Sequence, residues 1–288
     1  MKEGSLVTKL ISAVCLASFL PLMSFAEDGK AFQWVNIGSN SGLFAFDWES
    51  AGVNGLNLAG SPQSERRGAG KVKAHREEIA EGAYVVIPLC PFSSVLPESY
   101  DLRNSDTTHP LLSFDGMPDE QALSGFSDML DKCWKKEFAI RDYSDTMTET
   151  NRLAYSGCVV HMRGFIAWCR SQGLRPVLVL PPAAESLRKL FPESFMRQYV
   201  YDFVRDATAG TNVKFLDYWD SGEFQNPELY ATSLFLNKTG RRRFTARIIA
   251  DCQRAALGQG QTPKPQPSAK RAPDAGQPES MGSQGGSL

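Results

Sequence analysis

The sequence predicts an α/β fold: a central, mostly parallel sheet covered by helices. Three observations predict it. Short apolar runs alternate with longer stretches of helical period, one of those stretches is a long amphipathic helix, and the region holding them is the size of one domain with a real core. The strand candidates are five: Phe32 to Ile37, Gly55 to Leu58, Tyr84 to Leu89, Pro176 to Leu180 and Val213 to Leu216. A polar helical stretch, Glu65 to Glu81, lies between the second and the third.

The clearest helix is Asn151 to Gln172, where Leu153, Ala154, Cys158, Met162, Phe165, Ile166 and Cys169 recur on one face and Gly173 ends it. His161 falls at the edge of that face and reads as a packed or half-exposed structural histidine. A further helix begins at Pro192, with Phe195, Met196, Tyr199, Val200 and Phe203 on its buried side and Gly210 beyond its end. The last helix runs from about Lys238 to Ala256. Residues 97 to 150 are an irregular insertion, with a polar loop from Arg103 to Pro110 and one amphipathic helix near Asp119 to Cys133. An insertion of this kind usually caps the strand ends where ligands bind. No internal repeat is visible.

Both ends of the chain read differently from this domain. Lys2 and Lys9, the apolar run Leu10 to Leu22 and the small-x-small triplet Ser24-Phe25-Ala26 form a secretory signal, residues 1 to 26, with Glu27 as the mature N-terminus. Retention as an uncleaved anchor is the alternative, although the run is shorter than the roughly 20 residues of a membrane span. Cys15 follows Val14 rather than a small residue and reads as signal-peptide filler. From residue 258 to 288 the chain is rich in Gly, Pro, Gln and Ser, cannot bury enough surface to offset its ordering entropy, and is expected to be disordered. The domain is therefore residues 27 to 257, exported to the periplasm or beyond, with no stable membrane span after cleavage.

Composition excludes several classes. A net charge of −1 gives no basic footprint for nucleic acid. Cys90, Cys133, Cys158, Cys169 and Cys252 are an odd number with no CxxC, so at least one thiol stays free and their pairing is open. His75, His109 and His161 show no ligand spacing; no metal and no cofactor is expected. Oligomeric state is not legible.

In a parallel α/β sheet the functional crevice lies outside the carboxyl ends of the strands. That directs attention to residues 38 to 42, 59 to 64, 90 to 94, 181 to 182 and 217 to 235. The small polar turn Gly38-Ser39-Asn40-Ser41-Gly42 suits a nucleophilic serine at a helix N-terminus, and it equally suits a helix cap, which is the commoner use of Ser and Asn there.

Five stretches in order resemble one lineage of the SGNH/GDSL hydrolase superfamily. They are Val35-Asn36-Ile37-Gly38-Ser39-Asn40-Ser41-Gly42; Gly55-Leu56-Asn57-Leu58-Ala59 with Gln63-Ser64; Val85-Val86-Ile87-Pro88; Val177-Leu178-Val179-Leu180-Pro181-Pro182; and Leu236-Asn237-Lys238-Thr239-Gly240 with Phe244-Thr245. The resemblance implies a flavodoxin-like three-layer sandwich around a five-stranded sheet and, in active members, ester hydrolysis or acyl transfer by a Ser-His-Asp set. Sugar acetyl groups and lipid esters are common substrates in that family.

Carried over position by position, the resemblance implies a degenerate site. The nucleophile position holds Asn40, whose amide cannot attack an ester, with Ser39 and Ser41 beside it. The oxyanion glycine falls at Pro62, which has no N–H to give, and the oxyanion asparagine falls at Phe92 or Ser93. The Asp and His positions before the last helix are Thr232 and Phe235. His109, on the polar loop with Asp106 three residues before it, is the histidine that a rebuilt site would use, and a solvated loop histidine is its ordinary reading. Gln63, Asp217, Trp219 and Asp220 complete the crevice candidates. The two aspartates equally suit turn caps, and Trp219, like Tyr218 and Phe235, equally suits core packing.

The expectation is an exported, SGNH-hydrolase-like protein that has lost hydrolysis and binds a ligand, such as a glycan or an acyl ester, or an envelope partner at that crevice. The alternatives are a divergent esterase or acyltransferase acting on acyl esters such as acetylated glycans, and a structural protein of cell-envelope assembly.

Overall fold

The computed structural model describes residues 31–60, 63–96, 116 and 118–258. The expected signal peptide and most of the expected disordered tail lie outside the described residues, as do Pro62, Asp106 and His109.

Five strands form one sheet: β1 (Phe32–Asn36), β2 (Gly55–Asn57), β3 (Ile79–Pro88), β4 (Arg175–Leu180) and β5 (Lys214–Asp217). Their order is β2-β1-β3-β4-β5 and every pairing is parallel. The described residues form eight α-helices: α1 (Asn40–Leu43), α2 (Glu65–Ala74), α3 (Glu120–Glu137), α4 (Glu149–Ser171), α5 (Glu185–Arg188), α6 (Glu193–Met196), α7 (Asp202–Thr208) and α8 (Lys238–Gly258). A π-helical turn, Arg197–Tyr201, joins α6 to α7. The compact unit described here ends at Ile249. Residues 250–258 continue α8 and hold an Arg254–Asp251 ion pair of 2.8 Å.

The order is flavodoxin-like, and it follows from the strands themselves. Val35, Val85, Val86, Val177 and Val179 are all fully or nearly buried, as strands covered on both faces require. One face joins Val35, Ile37, Val85, Ile87, Leu178 and Leu180 to a single core with Ala69 and Val72 of α2 and Met162, Phe165, Ile166 and Cys169 of α4. On the other face Trp34 stacks on Tyr84, its register partner, at 4.5 Å and on Trp48 at 5.6 Å. Phe46 continues the stack from Trp48 at 4.9 Å to Phe244 of α8 at 5.7 Å, and Phe244 meets Tyr218 and Phe224 edge-on. Helices above and below the sheet give three layers.

Three expectations change at the level of elements. The polar stretch ends as α2 at Ala74; Arg76–Glu78 is a 3-10 turn and Ile79 already belongs to β3, so Glu81 is a strand residue. Gly82, at φ +74°, interrupts the pleat there, and the register of β3 on β1 shifts between Phe32 and Trp34. That break hides the first half of the strand from a pattern of alternation. Leu153 is not on the buried face of α4 but is 68% exposed, while Asn151 is buried and its Nδ2 donates to the carbonyl of Phe138 at 3.0 Å. The helix after Pro192 is divided by the π turn, with its five named apolar residues all buried.

Within the insertion, α3 is capped by Asp119, whose carboxylate accepts the Ala122 N–H at 2.7 Å. The return to α4 passes through Ala139 at φ +51° and is capped by Thr148, which accepts the Asn151 N–H at 3.2 Å.

Candidate functional site

β1 and β3 are neighbours, but the chain leaves β1 toward β2 on the other side. In parallel α/β sheets such a change of direction marks where a crevice forms outside the carboxyl ends of the strands. The turn after β1 enters it. Gly38 sits at φ +111°, a conformation that a side chain disfavours, and its carbonyl accepts the Gly60 N–H at 3.1 Å and Gln63 Nε2 at 3.1 Å. Gly42 has a steric reason: a Cβ there would stand 2.1 Å from the Ile37 carbonyl oxygen, so α1 folds back directly over the end of β1.

Beneath the turn is a buried polar network that the sequence reading missed. Asn36 is fully buried; its Nδ2 donates to the Gly42 carbonyl at 3.2 Å and to Asn57 Oδ1, its register partner, at 2.8 Å. Its Oδ1 accepts the Trp48 indole N–H at 2.7 Å. The available signal was an asparagine inside the apolar run Val35-Asn36-Ile37, since a buried amide demands partners.

Among the described residues neither serine of the turn is bonded to a histidine or a carboxylate. Ser39 occupies the N-cap position of α1 without a side-chain capping bond; its Oγ instead accepts the Gln63 backbone N–H at 3.4 Å. Asn40 is half-buried, and its Oδ1 is buried without a partner among the described residues. Ser41 is partly exposed. Gln63 is structural: its Nε2 ties the Gly38 carbonyl to that of Leu58, the latter also at 3.1 Å.

The loop before α8 reaches the same place with an apolar group. Phe235, 7% exposed, lies 4.4 Å from the ring of Phe44, the residue that follows α1, and 6.1 Å from Phe126 of α3. Thr232 holds this loop: its Oγ1 accepts the N–H groups of Leu234 at 3.3 Å and Phe235 at 3.1 Å. The turn after β1 and the segment of Thr232 and Phe235 are thus brought together through the contact of the Phe44 and Phe235 rings.

The positions after β3 are committed as well. Phe92 is the centre of an aromatic cluster, stacked on Phe138 at 4.4 Å and meeting Trp134, Tyr143, Phe191, Phe195 and Tyr199 within 6.4 Å. Ser93, 2% exposed, accepts the Cys90 N–H at 2.9 Å and directs its hydroxyl to Cys90 Sγ at 3.6 Å. Burial, with the charge of Glu65 adding to it, pushes the Cys90 thiol up to about 11.

Asp217, Trp219 and Asp220 serve the turn after β5. Asp217 Oδ1 accepts the Trp219 N–H at 2.9 Å, Asp220 pairs with Arg188 at 3.0 Å, and the Trp219 ring is buried, edge-on to Phe191 at 5.9 Å. The two described histidines stand elsewhere. His75 bonds Glu78 at 2.7 Å just before β3 begins, at the opposite end of that strand from the crevice, and His161 lies midway along α4, partly buried. No group of three metal-ligating side chains exists among the described residues, and no described helix is long and apolar enough to cross a membrane.

The fold and site define an α/β protein with a five-stranded parallel sheet whose strand-end crevice is lined by buried rings and internally bonded polar groups. No family model matches the chain, and no curated protein does. Among solved structures it is similar to protein YxiM of Bacillus subtilis, at 13% identity over 79% of this chain and 58% of that one, with a TM-score of 0.42. It is also similar to a lipase/acylhydrolase from Enterococcus faecalis, at 10% identity over 78% of this chain and 97% of that one, with a TM-score of 0.40. The chain spans less than two thirds of the length of YxiM. The fold class rests on the sheet order and not on these likenesses.

Proposed function

We propose that this chain is an exported, SGNH-hydrolase-like protein without ester-cleaving chemistry, which binds a ligand or an envelope partner at the strand-end crevice. The observation that carries the reading is the Phe44–Phe235 contact of 4.4 Å. It sets a ring with no proton acceptor beside the turn where an active member of the resembled family would need a base. A general base must lie within about 2.6 to 3.2 Å of the proton it takes, or reach it through one water. Ser93 and Phe92 add to the case, because the hydroxyl of one is directed to sulfur and the other has no donor. Each oxyanion donor lost costs on the order of 10² to 10³ in turnover.

The test is hydrolysis of activated acetyl and short-chain esters between pH 6 and 9 by wild type, Ser39→Ala, Ser41→Ala and His109→Ala. The expected result is no turnover above the buffer rate in any of them. Clear wild-type turnover that is abolished by either serine change and by His109→Ala overturns the reading and establishes a rebuilt esterase.

A further inference from the structure

α4 turns one face to the sheet and another away from it. On the outward face Leu153 is 68% and Val160 71% exposed; among the described residues the one other exposed large apolar side chain is Tyr201, at 37%. Leu153 and Val160 are seven residues apart, two helical turns, and so stand in one line. Gly157 and Gly164, also seven apart, and Ala167 lie along the same face.

Neither glycine is needed inside the chain, since a Cβ at either position would meet nothing within 4 Å. A glycine in a helix interior costs about 0.5 to 1 kcal/mol relative to alanine. What the missing Cβ permits is the close approach of another backbone from outside.

We propose that this face is the contact of a two-fold dimer in which α4 packs antiparallel on α4 of a second copy, with the axis beside Val160. The sequence of the face is complementary to its own reverse. Leu153 and Ala167 are equidistant from Val160, so the bulky side chain of each copy meets the small one of the other, and Gly164 meets Ser156 in the same way. Glu149, in the first turn and paired with Arg152 of its own helix at 2.6 Å, comes opposite Ser171 and so next to Arg170 in the last turn of the second copy. A parallel arrangement would instead set Glu149 against Glu149 and align two helix dipoles in the same sense. The 23 residues of α4 give a seam about 34 Å long, narrow for a permanent interface, so association is concentration-dependent.

Sedimentation velocity of the full chain over a concentration series tests this. The expected result is a monomer–dimer equilibrium that Val160→Lys and Leu153→Lys each shift to monomer without lowering the melting temperature of the monomer, measured at dilution where wild type is also monomeric, both side chains being exposed. Gly164→Ala gives opposite signs: a higher melting temperature of the monomer from helix propensity, and dimerisation weakened about tenfold by the added Cβ. Among the five described cysteines Cys133 is the exposed one, so cross-linking uses a Cys133→Ser background. There Val160→Cys forms a disulfide with itself on oxidation, and Leu153→Cys does not. A monomer at every concentration, a dimer indifferent to Val160→Lys, or a Leu153→Cys disulfide formed as readily as the Val160→Cys one overturns the proposal.

Discussion

Phe235, Phe92 and Ser93 mark where the chemistry of single residues decides the account. The phenyl ring of Phe235 contributes packing and nothing that accepts a proton, and Phe92 is held by six other rings. That neither phenyl side chain can accept a proton was legible in the sequence, because it follows from residue type alone. What those residues do instead was not legible: that Ser93 serves Cys90, or that Asp217 folds over its own turn, depends on backbone geometry. Cys90 lies two residues beyond β3, with its N–H donated to Ser93 Oγ at 2.9 Å. Burial holds its thiol protonated at pH 8, and the thiolate fraction rises as pH climbs toward about 11. Iodoacetamide at pH 8 should therefore alkylate exposed Cys133 well before Cys90, with Cys90 labelling about tenfold faster per pH unit above that. Peptide mass spectrometry reads this directly, and equal labelling of the two at pH 8 would contradict it.

At the scale of elements, the strands and the long helices follow from patterns spread over many residues. The failures fall where a single position breaks the pattern. Gly82 interrupts β3, so Ile79 to Glu81 reads as the tail of a helix, and Leu153 fits the inward period of α4 while pointing outward. The turn from β1 into α1 shows how much one position carries. Replacing Gly42 by alanine drives a Cβ to 2.1 Å from the Ile37 carbonyl oxygen, at a residue whose own carbonyl Asn36 holds from below at 3.2 Å. Overpacking of this kind costs about 1 to 3 kcal/mol. Urea unfolding of Gly42→Ala should show a loss in that range or beyond it, whereas Gly70→Ala, on α2 where a Cβ meets nothing, should not destabilise. Equal stability of wild type and Gly42→Ala would mean that α1 does not lie where it is described.

The described domain is ordered around the sheet, and its two covered faces were foreseeable from the buried runs of the three central strands, β1, β3 and β4, while the edge strands β2 and β5 are half-buried. The polar network under the crevice was not, because hydrogen bonds between Asn36, Trp48 and Asn57 join segments that only the fold brings together. The sequence from Gln259 to Leu288 offers almost no apolar group to a core, so its removal should leave the melting temperature unchanged. A fall of many degrees on truncation would show that the tail docks. The central claim is that the crevice holds no activated serine, and the most direct measurement of it is independent of substrate: reaction with a fluorophosphonate, which labels an activated serine whatever acyl group the enzyme prefers. The account predicts labelling of native protein no greater than that of heat-denatured protein. Stoichiometric modification of Ser39 or Ser41 in the native protein would contradict it.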